Sequence, residues 1–360
     1  LRPVKGRIAV TGFRVGELLE QPNLGSVSCE AGLNGVVGKG LIDARVDGSV
    51  SQLEFNGYDY DSLRFGGRLT EKTFNGHVRA DDPALRFDFQ GEVGFNPERP
   101  HYDFDLDLIH ADLARMHLNR RDSVSVLSAL VEARASGRTL DDLNGKVTVG
   151  DVVYRYNADT LRTTRLTLDG QNSAGSKYLS LQSEFADATF RSRTDYKTVF
   201  EYLRSSLEKY IPLLYDERKA RKRAAGAVSV VDDYSVLSVD VKHFTPVADA
   251  VADGLQIADG SQLRLLFNPA NDKLSLKATS EYIERERMLA TRLNLNATNR
   301  GDSLSVYLRS EDFYVGTFHM PQLSVMGGAR SDRLRLSAGF NDTTARVSAL
   351  LGLEALVGQS

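Results

Sequence analysis

From about residue 40 onward, apolar side chains fall on every second position, and the alternation breaks at intervals of roughly eight to twelve residues for Gly, Asn-Gly or Asp-Pro. Leu53 and Phe55 lead to Asn56-Gly57; Leu63, Phe65 and Leu69 follow; Phe74 precedes Asn75-Gly76 and Val78; Leu85, Phe87 and Phe89 close at Gly91. After Val93 and Phe95, the run His101 to Leu108 interleaves Tyr102, Phe104, Leu106 and Leu108 with Asp103, Asp105 and Asp107. Successive side chains of a strand point to opposite faces, so each of these segments has one oily face and one wet face. That pattern belongs to an antiparallel sheet built of hairpins, not to a parallel sheet covered on both sides.

The alternation continues through Val147 and Val149, Tyr154 and Tyr156, Leu166 and Leu168, and Leu179 and Leu181, and then stops. From Thr194 to about Ala224 the spacing becomes helical, with Val199, Phe200, Leu203, Leu207, Tyr210, Ile211 and Leu214 on one stripe. Thr194 or Asp195 can serve as the N-cap, and Pro212 is expected to kink or end the helix. A shorter helix is expected around Val247 to Leu255, entered through Pro246. The strand pattern then resumes with Leu263, Leu265 and Phe267 and runs on to Leu334 and Leu336. The expected organisation is a first β segment over 1–190, a helical insertion with connecting strands over 191–260, and a second β segment over 261–360. Turn counting predicts about two dozen strands. A weak internal echo, Gly48 to Leu53 with Asn56-Gly57 against Gly137 to Leu143 with Asn144-Gly145, suggests a repeated strand unit.

Composition narrows the function classes. With 45 Lys and Arg against 48 Asp and Glu, the net charge of −3 offers no basic stripe to neutralise a phosphate backbone, and nucleic acid is not expected as a partner. No window approaches the ~18 consecutive apolar residues of a membrane-spanning helix. The opening Leu1-Arg2-Pro3-Val4-Lys5-Gly6 is neither an initiator methionine nor a charged-then-apolar leader, so the expectation is an interior stretch of a longer chain. The one cysteine, Cys29, has no partner for an internal disulfide and no histidine context that would mark a nucleophile.

Catalytic and metal-binding patterns are weak. Asp103, Asp105 and Asp107 carry the oxygen ligands that calcium prefers, but on a strand the outer two lie ~13 Å apart, so a solvated strand face accounts for them better. The histidines His77, His101, His110, His117, His243 and His319 show no paired ligand spacing, and no metal or cofactor is expected. There is no Gly-x-Ser-x-Gly elbow, and Gly327-Gly328 lacks the lysine of a phosphate-binding loop. The basic run Arg218 to Arg223 reads as a solvated helix end that could also touch anionic headgroups. No enzymatic activity is expected.

What remains is the oily face, for which Leu53, Phe55, Leu63, Phe65, Phe74, Leu85, Phe87, Phe89, Phe104 and Leu106 are the candidate residues. If they fill the space between two packed sheets, the protein is a closed sandwich. If the sheet curls without closing, the same residues line a groove for acyl chains, with affinity growing by ~0.8 kcal/mol per buried methylene. Periodicity alone does not separate the two.

A family resemblance bears on that choice. Asn56-Gly57-Tyr58-Asp59-Tyr60, Gly67-Arg68-Leu69, Phe74-Asn75-Gly76, Asp82-Pro83-Ala84-Leu85 and Phe89-Gln90-Gly91 resemble the middle region of the translocation and assembly module (TamB) family in its Bacteroidetes form. Ala111-Asp112-Leu113, Gly137, Asp141 to Gly145 and Tyr154 look like the same family's continuing repeat. The likeness covers roughly residues 5–260, and its motifs are turn and strand punctuation. It implies an elongated, open antiparallel β-groove (a β-taco or half-pipe), related to AsmA-like and bridge-like lipid transfer proteins, to which the spacing adds one main helix between two sheet segments. It also implies a periplasmic location, an inner-membrane anchor in the full-length protein, phospholipid acyl chains as cargo between inner and outer membranes, and an outer-membrane β-barrel partner for the full-length protein only. The alternative from another class is a structural or chaperone-like β scaffold that assists outer-membrane protein assembly through its sheet edges.

Overall fold

The computed structural model describes residues 2–38, 40–173, 175–208, 231–251, 254–300, 303–330, 333–342 and 347–356. Among the described residues the chain is mainly β, with 24 antiparallel strands that do not close into a barrel and three helices. It divides into two compact units, Leu1–Asp169 and Gly170–Ser360.

In the first unit, β1 (Arg2–Arg14) is followed by the short helix α1 (Val15–Leu19), β2 (Leu24–Gly38), β3 (Leu41–Phe55), β4 (Tyr58–Tyr60), β5 (Leu63–Thr70), β6 (Thr73–Asp81) and β7 (Leu85–Gly94). Next come β8 (His101–Asp112), β9 (Ser125–Ser136) and β10 (Asn144–Tyr156), and β11 (Asp159–Ser173) runs through the division between the units. The pairing is a meander, β1 to β2 to β3, then β5 through β10, each strand beside its predecessor in the chain. The long β3 carries β2 on one edge and divides its other edge between two partners, β5 along residues 43–50 and the three-residue β4 at its end, residues 53–55.

The turn signals sort into two kinds. Asn56-Gly57 is a two-residue hairpin with φ of 54° and 77°, the left-handed pair that Asn-Gly supplies at least cost. Asn75-Gly76, which the sequence pattern marks as a break, instead lies inside β6. Gly76 faces Gly67 on one side and Gly91 on the other, and a Cβ at Gly76 would stand 2.2 Å from the carbonyl oxygen of Gly66. Glycine is there so that three backbones can approach, not to turn the chain. The internal echo dissolves for the same reason. Its first copy is strand β3 with its hairpin; its second is a turn braced by Asp142, whose Oδ1 accepts from the Thr139 backbone N–H at 2.7 Å, and Asn144-Gly145 opens β10.

The second unit contains β12 (Ser176–Ser183), β13 (Ala186–Ser192), α2 (Tyr196–Glu208), β14 (Ser235–Val241), α3 (Thr245–Val251), β15 (Gln256–Ile257) and β16 (Gln262–Asn268). The remaining strands are β17 (Lys273–Arg285), β18 (Met288–Arg300), β19 (Ser303–Arg309), β20 (Asp312–Val315), β21 (Phe318–Pro321), β22 (Ser324–Arg330), β23 (Arg333–Asp342) and β24 (Val347–Leu356). Its ladder is β12, β13, β14, β16, β17, β18, β19, β22, β23, β24, with β15 on the end of β17 and the β20–β21 hairpin on the end of β18.

Helix α2 lays Tyr196, Val199 and Leu203 on the apolar face of this sheet, against Phe190, Phe267, Leu274, Leu304 and Ala329. The Tyr196 ring stacks on Phe190 at 4.8 Å between centroids. Phe200, expected on the same stripe, stands at its border and is 46% exposed. Of the other expected stripe residues, Tyr210, Ile211 and Leu214 lie outside the described residues, as do Pro212 and the basic run Arg218 to Arg223. Thr194 Oγ1 accepts from the Val231 backbone N–H at 3.2 Å, and Asp195 pairs with Lys177 at 2.9 Å.

Phe267 is 1% exposed and sits under α2. Phe267→Ala is therefore expected to destabilise the second unit by about 3–5 kcal/mol. Phe104→Ala in the first unit removes a ring that already meets water, and should cost about 1–2 kcal/mol. Chemical denaturation of the two variants checks the difference, and equal losses would contradict it.

Candidate functional site

Residues directly opposite each other in an antiparallel ladder share a face, so the registers place each candidate residue without ambiguity. Leu63 faces Ala80, Phe65 faces Val78, and Phe74 faces Leu69 on one side and Val93 on the other. Phe87 faces Ala80 and Leu108, Phe89 faces Val78 and Leu106, and Phe104 faces Gly91 and Ala133. Leu85 stays on this face because the one-residue shift next to it falls in β8, where Leu108 and Ala111 oppose Phe87 and Leu85.

Leu53 and Phe55 need a further step. Val50 opposes Leu63, so a strict alternation would put Leu53 on the other face. The register of β3 on β2 shifts between Ser28 and Cys29, leaving Ser51 as the extra residue of a bulge, and parity flips there. All ten residues consequently lie on one face of the first unit's sheet, which also carries Ala44, Val46, Val78, Val93, Leu108, Val131 and Ala133.

None of the ten large candidates on this face is fully buried. Ala44, Ala80 and Ala133 are 2–3% exposed, whereas each of the ten larger residues is only partly buried. A facing second layer would bury the tallest side chains most deeply. Here the small ones are shaded by taller neighbours within the same sheet, and the tall ones reach past them. Among the described residues, only one end of the face has a cover. Tyr60, Ala84, Ala111 and Met116 form a small cluster there, against which Leu53, Phe55, Leu63 and Leu85 pack. Those four have a structural role at the strand ends. Phe65, Phe74, Phe87, Phe89, Phe104 and Leu106 lie beyond the cluster, with the Phe89 and Phe104 rings 5.1 Å apart. Met116 and Leu113, which help close that end, come from an aperiodic loop after β8 that no alternation could have marked.

The cluster is anchored by Asp82, 1% exposed in the turn between β6 and β7. Its carboxylate accepts from Tyr58 Oη at 2.9 Å, the Ala84 backbone N–H at 2.7 Å and the Asp61 backbone N–H at 3.0 Å. Burial, reinforced by this carboxylate, pushes the Tyr58 phenol up to about 12.

The opposite face is a polar ladder. Arg68 grips Asp43 through two contacts of 2.7 Å, Asn75 donates to Glu92 at 2.9 Å, and Glu92 meets His101 at 2.7 Å. Asp103 and Asp105 both reach Arg134, at 2.8 and 2.9 Å, so these two aspartates are ion-paired, and with Asp107 they stand on an exposed strand face. The Arg68 hydrogen bonds hold the Asp43 carboxyl below its usual range, and His101 followed by Asn75 does the same for Glu92. Such exposed pairs add little stability, but they make a register slip unfavourable.

No family model, curated protein or solved structure matches this chain.

The Tyr58–Asp82 contact yields a titration with a definite sign. The phenol is held protonated in the fold, so its contribution to stability is complete below pH 10 and is lost as pH rises from there towards about 12. Tyrosine ring-carbon NMR should find Tyr58 ionising near 12, and Asp82→Asn should lower that value. An unchanged midpoint would contradict the assigned contact.

Proposed function

We propose that the apolar face of the first unit binds phospholipid acyl chains, as part of a periplasmic protein that carries lipid between the inner and outer membranes. The observation that carries this reading is a continuous apolar face on which none of the ten large residues is fully buried. A monomer seldom leaves so much contiguous apolar surface half-covered unless something occupies it. An acyl chain asks only for unbroken apolar area, and six large side chains beyond the end cluster offer it without a placed polar group. No step in such binding calls for a catalyst or cofactor. The resemblance to the TamB family supports the same cargo and compartment, and in the full-length protein an inner-membrane anchor and an outer-membrane β-barrel partner.

The second reading is a scaffold for unfolded outer-membrane strands. It is favoured by β1, which pairs only with β2 among the described residues and is exposed along nearly its whole length, so that one backbone edge is free to accept a strand.

Phe87→Asp separates the readings. A carboxylate desolvated by an acyl chain costs several kcal/mol, so lipid co-purifying with the variant should fall sharply, whereas the outward control Asp105→Asn should keep it. Extraction and mass spectrometry, after both variants are shown to fold, give the answer. Equal recovery would sink the lipid reading, and unfolding of Phe87→Asp alone would point to a closed core.

A further inference from the structure

The second unit carries a separate apolar cavity on the same face that α2 partly covers. Leu237 and Leu265 pack against the α2 cluster. Two residues further along their strands, Val239 and Leu263 oppose each other, and with Val241, Ala278, Ile283 and Leu293 they line a partly enclosed cavity of about 190 Å³. Its polar side chains are already engaged or turned away. Ser261 Oγ and Ser280 Oγ lie 2.6 Å apart, and each also reaches a backbone carbonyl, Ala258 and Tyr282 respectively, at 2.6 Å. Gln262 and Thr279, which oppose each other in the ladder, point to the other face, where the Gln262 amide donates to Asp240 at 3.0 Å.

We propose that this cavity seats the terminal segment of a single alkyl chain. A group carrying its own donors or acceptors would find no free partner among these side chains, so the occupant must be hydrocarbon. The size sets a limit. An apolar cavity of about 150 Å³ stays dry and takes up benzene, so 190 Å³ holds roughly six to eight carbons of one chain and not two chains side by side. Each carbon seated should tighten binding about fourfold until the cavity is full. The site lies in the other unit from the face treated above, and its lining shares no residue with it.

The test uses the whole chain and palmitic acid carrying a diazirine at its penultimate carbon, photolysed and mapped by peptide mass spectrometry. Crosslinks are expected on residues 239–241, 257–263 and 278–293, with few when the diazirine stands beside the carboxylate instead. Ala278→Phe fills the cavity and should reduce these crosslinks at least fivefold while leaving any on β6 to β8 unchanged. Val239→Phe fills it from the neighbouring strand and replaces Ala278→Phe if that variant does not fold. Undiminished crosslinking in a folded, filled variant would overturn the cavity assignment, as would equal labelling from both diazirine positions. Labelling confined to β6 to β8 would overturn it too while leaving the reading of the first unit standing, and no labelling anywhere would overturn both.

Discussion

Backbone register is the constraint on which everything else in this chain depends. Side chains alternate with a period of two, so a slip of one residue between any two strands would exchange the whole oily set for the charged set. Two features hold the register in the first unit. The polar ladder couples specific partners across strands, Asp43 to Arg68, Asn75 to Glu92, and Asp103 and Asp105 to Arg134. The glycine row Gly67, Gly76 and Gly91 fixes where three backbones come closest. At Gly91 a side chain is excluded twice over, by φ of +146° and by the Phe104 backbone 2.4 Å from where a Cβ would sit. The apolar face is preserved even where the ladder is irregular, because the parity flips at the Ser51 bulge and at the shift in β8 each return the next apolar residue to the same face.

Much of this was legible in the sequence because a strand's faces are written in its alternation. The antiparallel class, the number of strands and the helix after β13 all follow from counting periods. Leu63 through Leu106 could be assigned to one face because no irregularity falls between the candidates of any one strand; the shift in β8 comes only after Leu108. Leu53 and Phe55 reach that face only through a bulge, and nothing in Gly48 to Phe55 marks Ser51 as the extra residue. Asn75-Gly76 shows the opposite failure. A dipeptide that makes a hairpin at Asn56-Gly57 is held extended in β6 by ladders on both sides, since pairing over a whole strand outweighs a local turn preference. The cluster of Tyr60, Ala84, Ala111 and Met116 was invisible because it is assembled from strand ends and a loop, whose contacts have no period.

The two units treat an oily sheet face differently. In the second, α2 lies on it, and Phe267 and Val199 fall to 1% and 2% exposure, values of a true core. In the first, no residue among the ten candidates reaches that depth. A face intended only as half of a core would be wasteful in this state, because hydrophobic stabilisation follows the area removed from water, and its largest rings leave part of theirs wet. Surfaces of this kind persist where an occupant covers them for part of the time.

Under the proposed lipid-binding reading, affinity on such a face should be broad in kind and graded in strength. A polar recognition site discriminates because each misplaced donor or acceptor is left unpaired at a cost of about 1–3 kcal/mol. The first unit's apolar face presents its large side chains without a buried polar group among them; Asp82, the nearest buried carboxylate, is fully engaged by Tyr58, Ala84 and Asp61 at the end cluster. Nothing on the face can therefore distinguish one saturated chain from another except through length and the area it covers. Cohesion of that kind suits a surface along which a chain can slide, because moving by one methylene exchanges one apolar contact for an equal one and breaks no hydrogen bond. A single charge on the face changes this arithmetic, because it must be desolvated whenever a chain passes over it. The physical demand on this sequence is thus the unbroken exclusion of polar atoms from one side of a sheet, and the alternation from which the fold is read meets that demand directly.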